Sequence, residues 1–119
     1  MSPIAALHAV VLDCADPDEL AEFYRKITGW EVGYRSETFV FIGEGATRIG
    51  FQRIGGYLRP QWPGGNPRAH LDFTVPDFAT GIPALVAAGA SLPDDQPGGE
   101  DWKVLLDPAG HPMCITEAG

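Results

Sequence analysis

Only two cysteines occur, Cys14 and Cys114, far apart and without any Cys-x-x-Cys spacing, which excludes a disulfide framework or a zinc knuckle. Both are expected to be reduced thiols. Basic residues are scarce as well: 8 Lys and Arg stand against 16 Asp and Glu, a formal net charge of −8. No stripe of positive charge is available for nucleic acid or for an anionic membrane, and the acidity serves solubility. No apolar run approaches the ~20 residues that span a bilayer. The first residues show no basic leader followed by an apolar stretch, so a cytoplasmic setting is expected. A phosphate-cradling glycine loop, a Gly-x-Ser-x-Gly elbow and a usefully spaced Cys-His pair are all lacking, which disfavours nucleotide-dependent and hydrolytic chemistry.

What is present suits one ordinary globular domain: 119 residues, 45% hydrophobic and 20% charged. From Ile4 to Leu12 the chain is apolar except for His8, which reads as a buried strand with His8 in its middle. Asp16-Pro17-Asp18-Glu19 is a helix start, with Asp16 as cap and Pro17 at the first helical position. Leu20, Phe23, Tyr24 and Ile27 then form one apolar stripe up to a stop at Gly29. Strands are expected at Trp30 to Arg35, Thr38 to Ile42 and Arg48 to Arg53, and the Gly- and Pro-rich stretch from Gly55 to Pro67 reads as a linker or pocket-covering loop. A strand over Arg68 to Val75 follows, then a helix carrying Phe78, Ile82, Leu85 and Val86. Pro83 would damage a helix interior and implies a start near Thr80. Short strands at Ala90 to Leu92, Trp102 to Leu106 and Pro112 to Thr116 complete the chain.

The halves repeat one another. Leu7-His8-Ala9, Asp16 and Gly29 are matched in order and nearly in spacing by Ala69-His70-Leu71, Asp77 and Gly89, and Gln52 and Cys114 each lie in a closing strand. The expected fold is α+β: two βαβββ modules forming a curled, cup-like mixed sheet with flanking helices. The expected layout is one domain over 1–119, with a first module over about 4–54, a linker over 55–67 and a second module over about 68–117. A lone module of about 55 residues buries too little apolar area to be stable, which is a physical reason for two copies. If the sheets pair as the repeat implies, His8 and His70 point into one concavity.

The phrases Val11-Leu12-Asp13-Cys14-Ala15-Asp16-Pro17, Phe23-Tyr24 with Gly29-Trp30, Phe51-Gln52, Arg68-Ala69-His70-Leu71-Asp72 and Asp107-Pro108-Ala109-Gly110-His111-Pro112 together resemble a glyoxalase-like domain of the vicinal-oxygen-chelate superfamily, which includes glyoxalases, bleomycin-resistance proteins and dioxygenases. The resemblance covers essentially the whole chain. It implies a divalent metal (Zn, Ni, Co, Mn or Fe) held by one residue from the first and one from the last strand of each module. Those positions are His8, Gln52, His70 and Cys114, where an amide and a thiol replace the usual carboxylates. It also implies a homodimer and a small-molecule ligand or substrate, with neither nucleic acid nor membrane as partner.

Each of these residues has a plain alternative role. His8 and His70 could be hydrogen-bonded core histidines, Gln52 a partner for a ligand or a neighbouring backbone, and Cys114 a small buried side chain. Trp62 and Trp102, in or beside loops, would close a lid over a ligand or cap the core. Arg68 and Asp72 flank His70 at even spacing and would orient it or a polar ligand group, or form a structural ion pair. Glu117 falls three residues beyond Cys114, so alternation turns it to the opposite face. Two functions stay open: a protein binding a small organic molecule through Gln52, His70, Trp62, Trp102, Arg68 and Asp72, or a metal-dependent lyase, isomerase or dioxygenase.

Overall fold

The computed structural model describes residues 3–4, 6–45, 47–65 and 69–118. Arg68, one of the expected ligand contacts, lies outside the described residues, as do Asn66 and Pro67 of the linker. The chain divides into two compact units, Met1–Tyr57 and Leu58–Gly119.

In the first unit, β1 (Val10–Cys14) leads into α1 (Pro17–Thr28), followed by β2 (Val32–Arg35), β3 (Phe39–Glu44) and β4 (Thr47–Arg53). Local chemistry specifies α1 at both ends. The Asp16 carboxylate accepts hydrogen bonds from the amides of Asp18 and Glu19 at 3.1 and 3.2 Å, Pro17 opens the first turn, and Gly29 closes the helix in the left-handed region at φ 76°. The sheet order is β1-β4-β3-β2, with β1 parallel to β4 and the other pairs antiparallel. Leu20, Ala21, Phe23 and Tyr24 are buried on α1, and Val40, Ile42, Ile49 and Phe51 are buried on the sheet. The Tyr24 ring stacks on Phe51 with centroids 5.4 Å apart. Removing each large side chain of this layer from water stabilises the unit by roughly 1.5–3 kcal/mol.

The second unit contains β5 (Leu71–Val75), α2 (Phe78–Ala88), β6 (Lys103–Leu106) and β7 (Pro112–Glu117), in the sheet order β5-β7-β6. Here too the first strand runs parallel to the last, and β6 is antiparallel to β7. Among the described residues the architecture is therefore α+β with two small mixed sheets and two helices, the class expected from the sequence.

Several boundaries differ from expectation, each for a local reason. β1 starts at Val10 rather than Ile4, so His8 precedes the strand instead of occupying its middle. The parallel register pairs Val10 with Ile49, and continuing it backwards would set His8 beside Thr47, where β4 begins. Ile4 and Leu7 are accordingly exposed. Likewise β5 starts at Leu71, one residue after His70. α2 begins at Phe78, not near Thr80, and carries Pro83 inside it. Its first turn is held from two sides: the Asp77 carboxylate accepts from the Thr80 amide and hydroxyl, each at 2.8 Å, and the Glu117 carboxylate accepts from the Phe78 amide at 2.8 Å. The strand expected at Ala90 to Leu92 is reduced to one bridge, Ser91 to Leu106. Beyond that bridge the Gln96 amide does a strand's work on β6, accepting from the Val104 amide and donating to the Val104 carbonyl, both at 2.8 Å.

Candidate functional site

The first sheet has one face covered by α1 and one facing away. In the first unit, register and alternation place Tyr34, Phe39, Phe41, Arg48, Gly50 and Gln52 together on the second face. The rings of Phe39 and Phe41 lie 4.6 Å apart, filling the room left by Gly50. A Cβ there would come within 2.7 Å of Phe39. Around Phe41 stand His8, edge-on at 5.5 Å, Tyr34 at 6.5 Å and the Arg48 guanidinium at 5.7 Å from the ring centre. Tyr34 is 56% exposed. The result is an aromatic shelf rimmed by an imidazole, a guanidinium and the exposed Gln52. Cys14 serves the other side: buried, it donates from Sγ to the Gln52 carbonyl at 3.6 Å.

In the second unit, Asp72 and Cys114 are register partners on the adjacent parallel strands β5 and β7, so their side chains emerge from the same face. His70, two residues before Asp72, reaches the same spot, with Nε2 3.1 Å from an Asp72 carboxylate oxygen. The nitrogen, oxygen and sulfur atoms of the three residues all lie within 4.8 Å of one another. Partial burial, and secondarily the charge of Asp72, push the Cys114 thiol above its ordinary pKa, so without a cation it is a neutral thiol at pH 7. Glu117 is turned away to the α2 terminus. His8 and Gln52 thus belong to one unit, and His70, Asp72 and Cys114 to the other.

The loop residues fall differently. Trp102 is half-buried against Gly98, where a Cβ would come within 2.3 Å of the indole ring. Trp62 is half-buried, and its indole nitrogen is buried without a hydrogen-bond partner. The buried Asp107 carboxylate organises the turn into β7 by accepting from the amides of Ala109 and His111, both at 2.9 Å. A surface hollow of about 540 Å³ is lined by Trp30, Glu31, Gly43, Glu44 and their neighbours and, among the described residues, by none of the expected site residues.

Sequence reasoning missed Tyr34, Phe39, Phe41 and Arg48. One signal for them existed: Arg48, Gly50 and Gln52 alternate with Ile49 and Phe51, which marks one face of β4 as uncovered and, by pairing, the facing residues of β3. Asp72 was read as a residue that orients His70, a ligand contact or an ion-pair partner, and it does lie 3.1 Å from His70 Nε2, but it was not read as a member of a donor cluster.

The profile of the glyoxalase-like domain matches residues 9–116, almost the full length. The chain belongs to that family. Solved structures agree on the fold. A glyoxalase/bleomycin resistance protein/dioxygenase family enzyme from Burkholderia phytofirmans PsJN is 23% identical, with a TM-score of 0.70 over 95% of this chain and 98% of that one. A glyoxalase-related enzyme from Fulvimarina pelagi is 22% identical, with a TM-score of 0.67 over 96% and 87%. A lactoylglutathione lyase from Agrobacterium tumefaciens is 20% identical, with a TM-score of 0.57 over 98% and 96%. No curated protein matches the sequence. Among the described residues, no helix of this glyoxalase-like chain is long and apolar enough to cross a membrane.

Whether the residues suit a divalent metal is a matter of donor chemistry. His8 precedes β1, whose Val10 pairs with Ile49, whereas Gln52 pairs with Asp13 near the other end of β4, so the register does not bring these two expected donors to one spot. His70, Asp72 and Cys114 bring imidazole, carboxylate and thiol to one spot, a set that fits a borderline-soft divalent cation.

Proposed function

We propose that this glyoxalase-like protein binds a small, planar organic molecule carrying oxygen substituents, with the aromatic face of the first sheet as its floor. The observation that carries this reading is the grouping of Tyr34, Phe39 and Phe41 on an uncovered face, with Arg48 and His8 at its edge. Such a surface stacks a flat apolar ring and directs a charged or oxygen-bearing substituent to the rim. Gln52 stays in the proposal as a further contact on this face, and His70, Asp72, Arg68, Trp62 and Trp102 stay as the ligand contacts proposed for the second unit.

The test is an amide NMR titration with 2-naphthoate, compared with cyclohexane carboxylate. Saturable shifts at Tyr34, Phe39, Phe41 and Arg48 are expected with the aromatic acid, and Phe41→Ala should weaken binding about tenfold, the loss of one aromatic stack and its buried area. Shifts confined to the helix-covered side, or equal affinity for the two acids, would refute the proposal.

A second reading, a metal-dependent lyase, isomerase or dioxygenase, is favoured by the His70, Asp72 and Cys114 cluster. A divalent cation bound there would supply Lewis-acid polarisation of a substrate oxygen. The imidazole, carboxylate and thiol would hold it, with His8 and Gln52 as the further positions the family resemblance implies. A cytoplasmic setting and a homodimer complete the proposal, and light scattering on the purified protein tests the latter.

A further inference from the structure

Building on the reading of the first sheet's aromatic face as a ligand floor, we propose that its ligand is an aromatic monocarboxylate, whose carboxylate pairs with the Arg48 guanidinium while its ring lies on Phe41. The ligand thereby gains one charge and one orientation.

β4 presents Arg48, Gly50 and Gln52 to this face, and the register sets Arg48 opposite Gly43, with Phe41 the next residue of β3 on the same side. The guanidinium carbon lies 5.7 Å from the centre of the Phe41 ring. A ligand ring offset on Phe41 stands about 4.5–7 Å from the same centre, so a carboxylate on its edge comes within hydrogen-bond reach of the guanidinium. Arg48 is half-buried, and among the described residues it forms no ion pair, whereas Arg25 and Arg35 are matched by Glu22 and Asp18. A partly desolvated cation is stabilised by an anion, and the planar N–H fork of arginine fits a carboxylate through two parallel hydrogen bonds. Among the strand residues of this face the register adds one carboxylate, Asp13, the β1 partner of Gln52, four residues beyond Arg48 and about 13 Å along the strand. The face is thus cationic at one end and anionic at the other, which suits a ring with one acid group rather than two. The net charge of −8 repels anions at long range, so a preference for an acid over its neutral isostere has to arise locally.

The test is an amide NMR titration of the whole chain with 2-naphthoate, its neutral isostere 2-naphthamide and 2,6-naphthalenedicarboxylate. The acid should bind at least about tenfold more tightly than the amide, because a hydrogen bond between charged partners outweighs a neutral one. The dicarboxylate should bind more weakly than the monoacid. Arg48→Gln should bring the acid down to the level of the amide and leave the amide unchanged, which also reports that the face is intact. Arg48→Lys, which keeps the charge without the fork, should fall between. Arg53→Gln removes the same unit of charge from the exposed end of β4, on the opposite face, and should leave both affinities within about twofold. Equal affinity for acid and amide with shifts at Tyr34, Phe39 and Phe41, an acid preference that survives Arg48→Gln, an equal loss in Arg53→Gln, or tighter binding of the dicarboxylate would each overturn the proposal and leave the aromatic-face reading standing. No saturable shift on this face with any of the compounds would remove that reading, and the proposal with it.

Discussion

Phe41 and Phe51 sit on opposite faces of the first sheet, and truncating each to alanine separates an uncovered face from a core. Phe51 is fully buried and stacked on Tyr24 under α1, so Phe51→Ala removes its transfer energy and leaves a cavity bounded by β-strand backbone that cannot collapse. The expected cost is about 3–5 kcal/mol, a large part of the 5–15 kcal/mol that holds a typical domain together. Phe41 is only half-buried, and its neighbours Phe39, Tyr34 and His8 can shift over the gap. Its truncation should cost about 1–2 kcal/mol, the partial burial plus one or two ring contacts. At roughly 3–6 °C per kcal/mol for a chain of this length, Phe51→Ala lowers the thermal midpoint by about 10–30 °C and Phe41→Ala by about 3–12 °C. Circular-dichroism melts and urea titrations of the two variants measure this directly. Equal losses would show that the aromatic face is packed as a core and would refute the reading of it as a ligand surface.

The remaining predictions concern the second unit. Gly81→Ala should destabilise by about 1–2 kcal/mol in urea: the helix-propensity gain of about 1 kcal/mol is outweighed by a methyl placed 2.6 Å from the Val75 Cβ, an overlap of the kind that costs 1–3 kcal/mol or more. A stabilised variant would mean that α2 can lift from β5 at little cost. Gln96→Ala should lose about 1–3 kcal/mol by leaving the Val104 amide and carbonyl unpaired, with faster hydrogen exchange at Val104. Gln96→Glu, which can accept but not donate, should fall between the two. The Asp77 carboxyl is held below its ordinary pKa of 3.8 by hydrogen bonds from the Thr80 hydroxyl and then the Thr80 amide. A depressed folded-state pKa contributes stability that is full above the unfolded value and is lost as pH falls through the folded one. The advantage of wild type over Asp77→Ala in thermal melts should therefore be constant from pH 7 to about 5 and shrink below about 4, and an advantage that persists unchanged at pH 2 would contradict it.

The ends of α1 were legible because the signals are local: an aspartate cap, a proline at the first position and a glycine stop lie within a few residues of the backbone they govern. The α+β class was legible through repeated apolar periodicity, and the face of Glu117 followed from simple alternation. The start of α2 was not, because Pro83 argues against it locally while Glu117, from the far end of the same unit, supplies a partner for its first amide. The second strand of the second module failed similarly, since a side-chain amide at Gln96 replaced the backbone partner that periodicity expects. For His8, composition could mark an apolar run but not where its pairing strand begins. The sequence by itself thus determined the ends of α1, the α+β class and the place of Cys114 in a closing strand. Only the tertiary structure decided that Asp72 stands across from Cys114 and within reach of His70, and that Phe39 and Phe41 share an uncovered face. Both depend on strand register, and register is set by hydrogen bonds between segments distant in the chain.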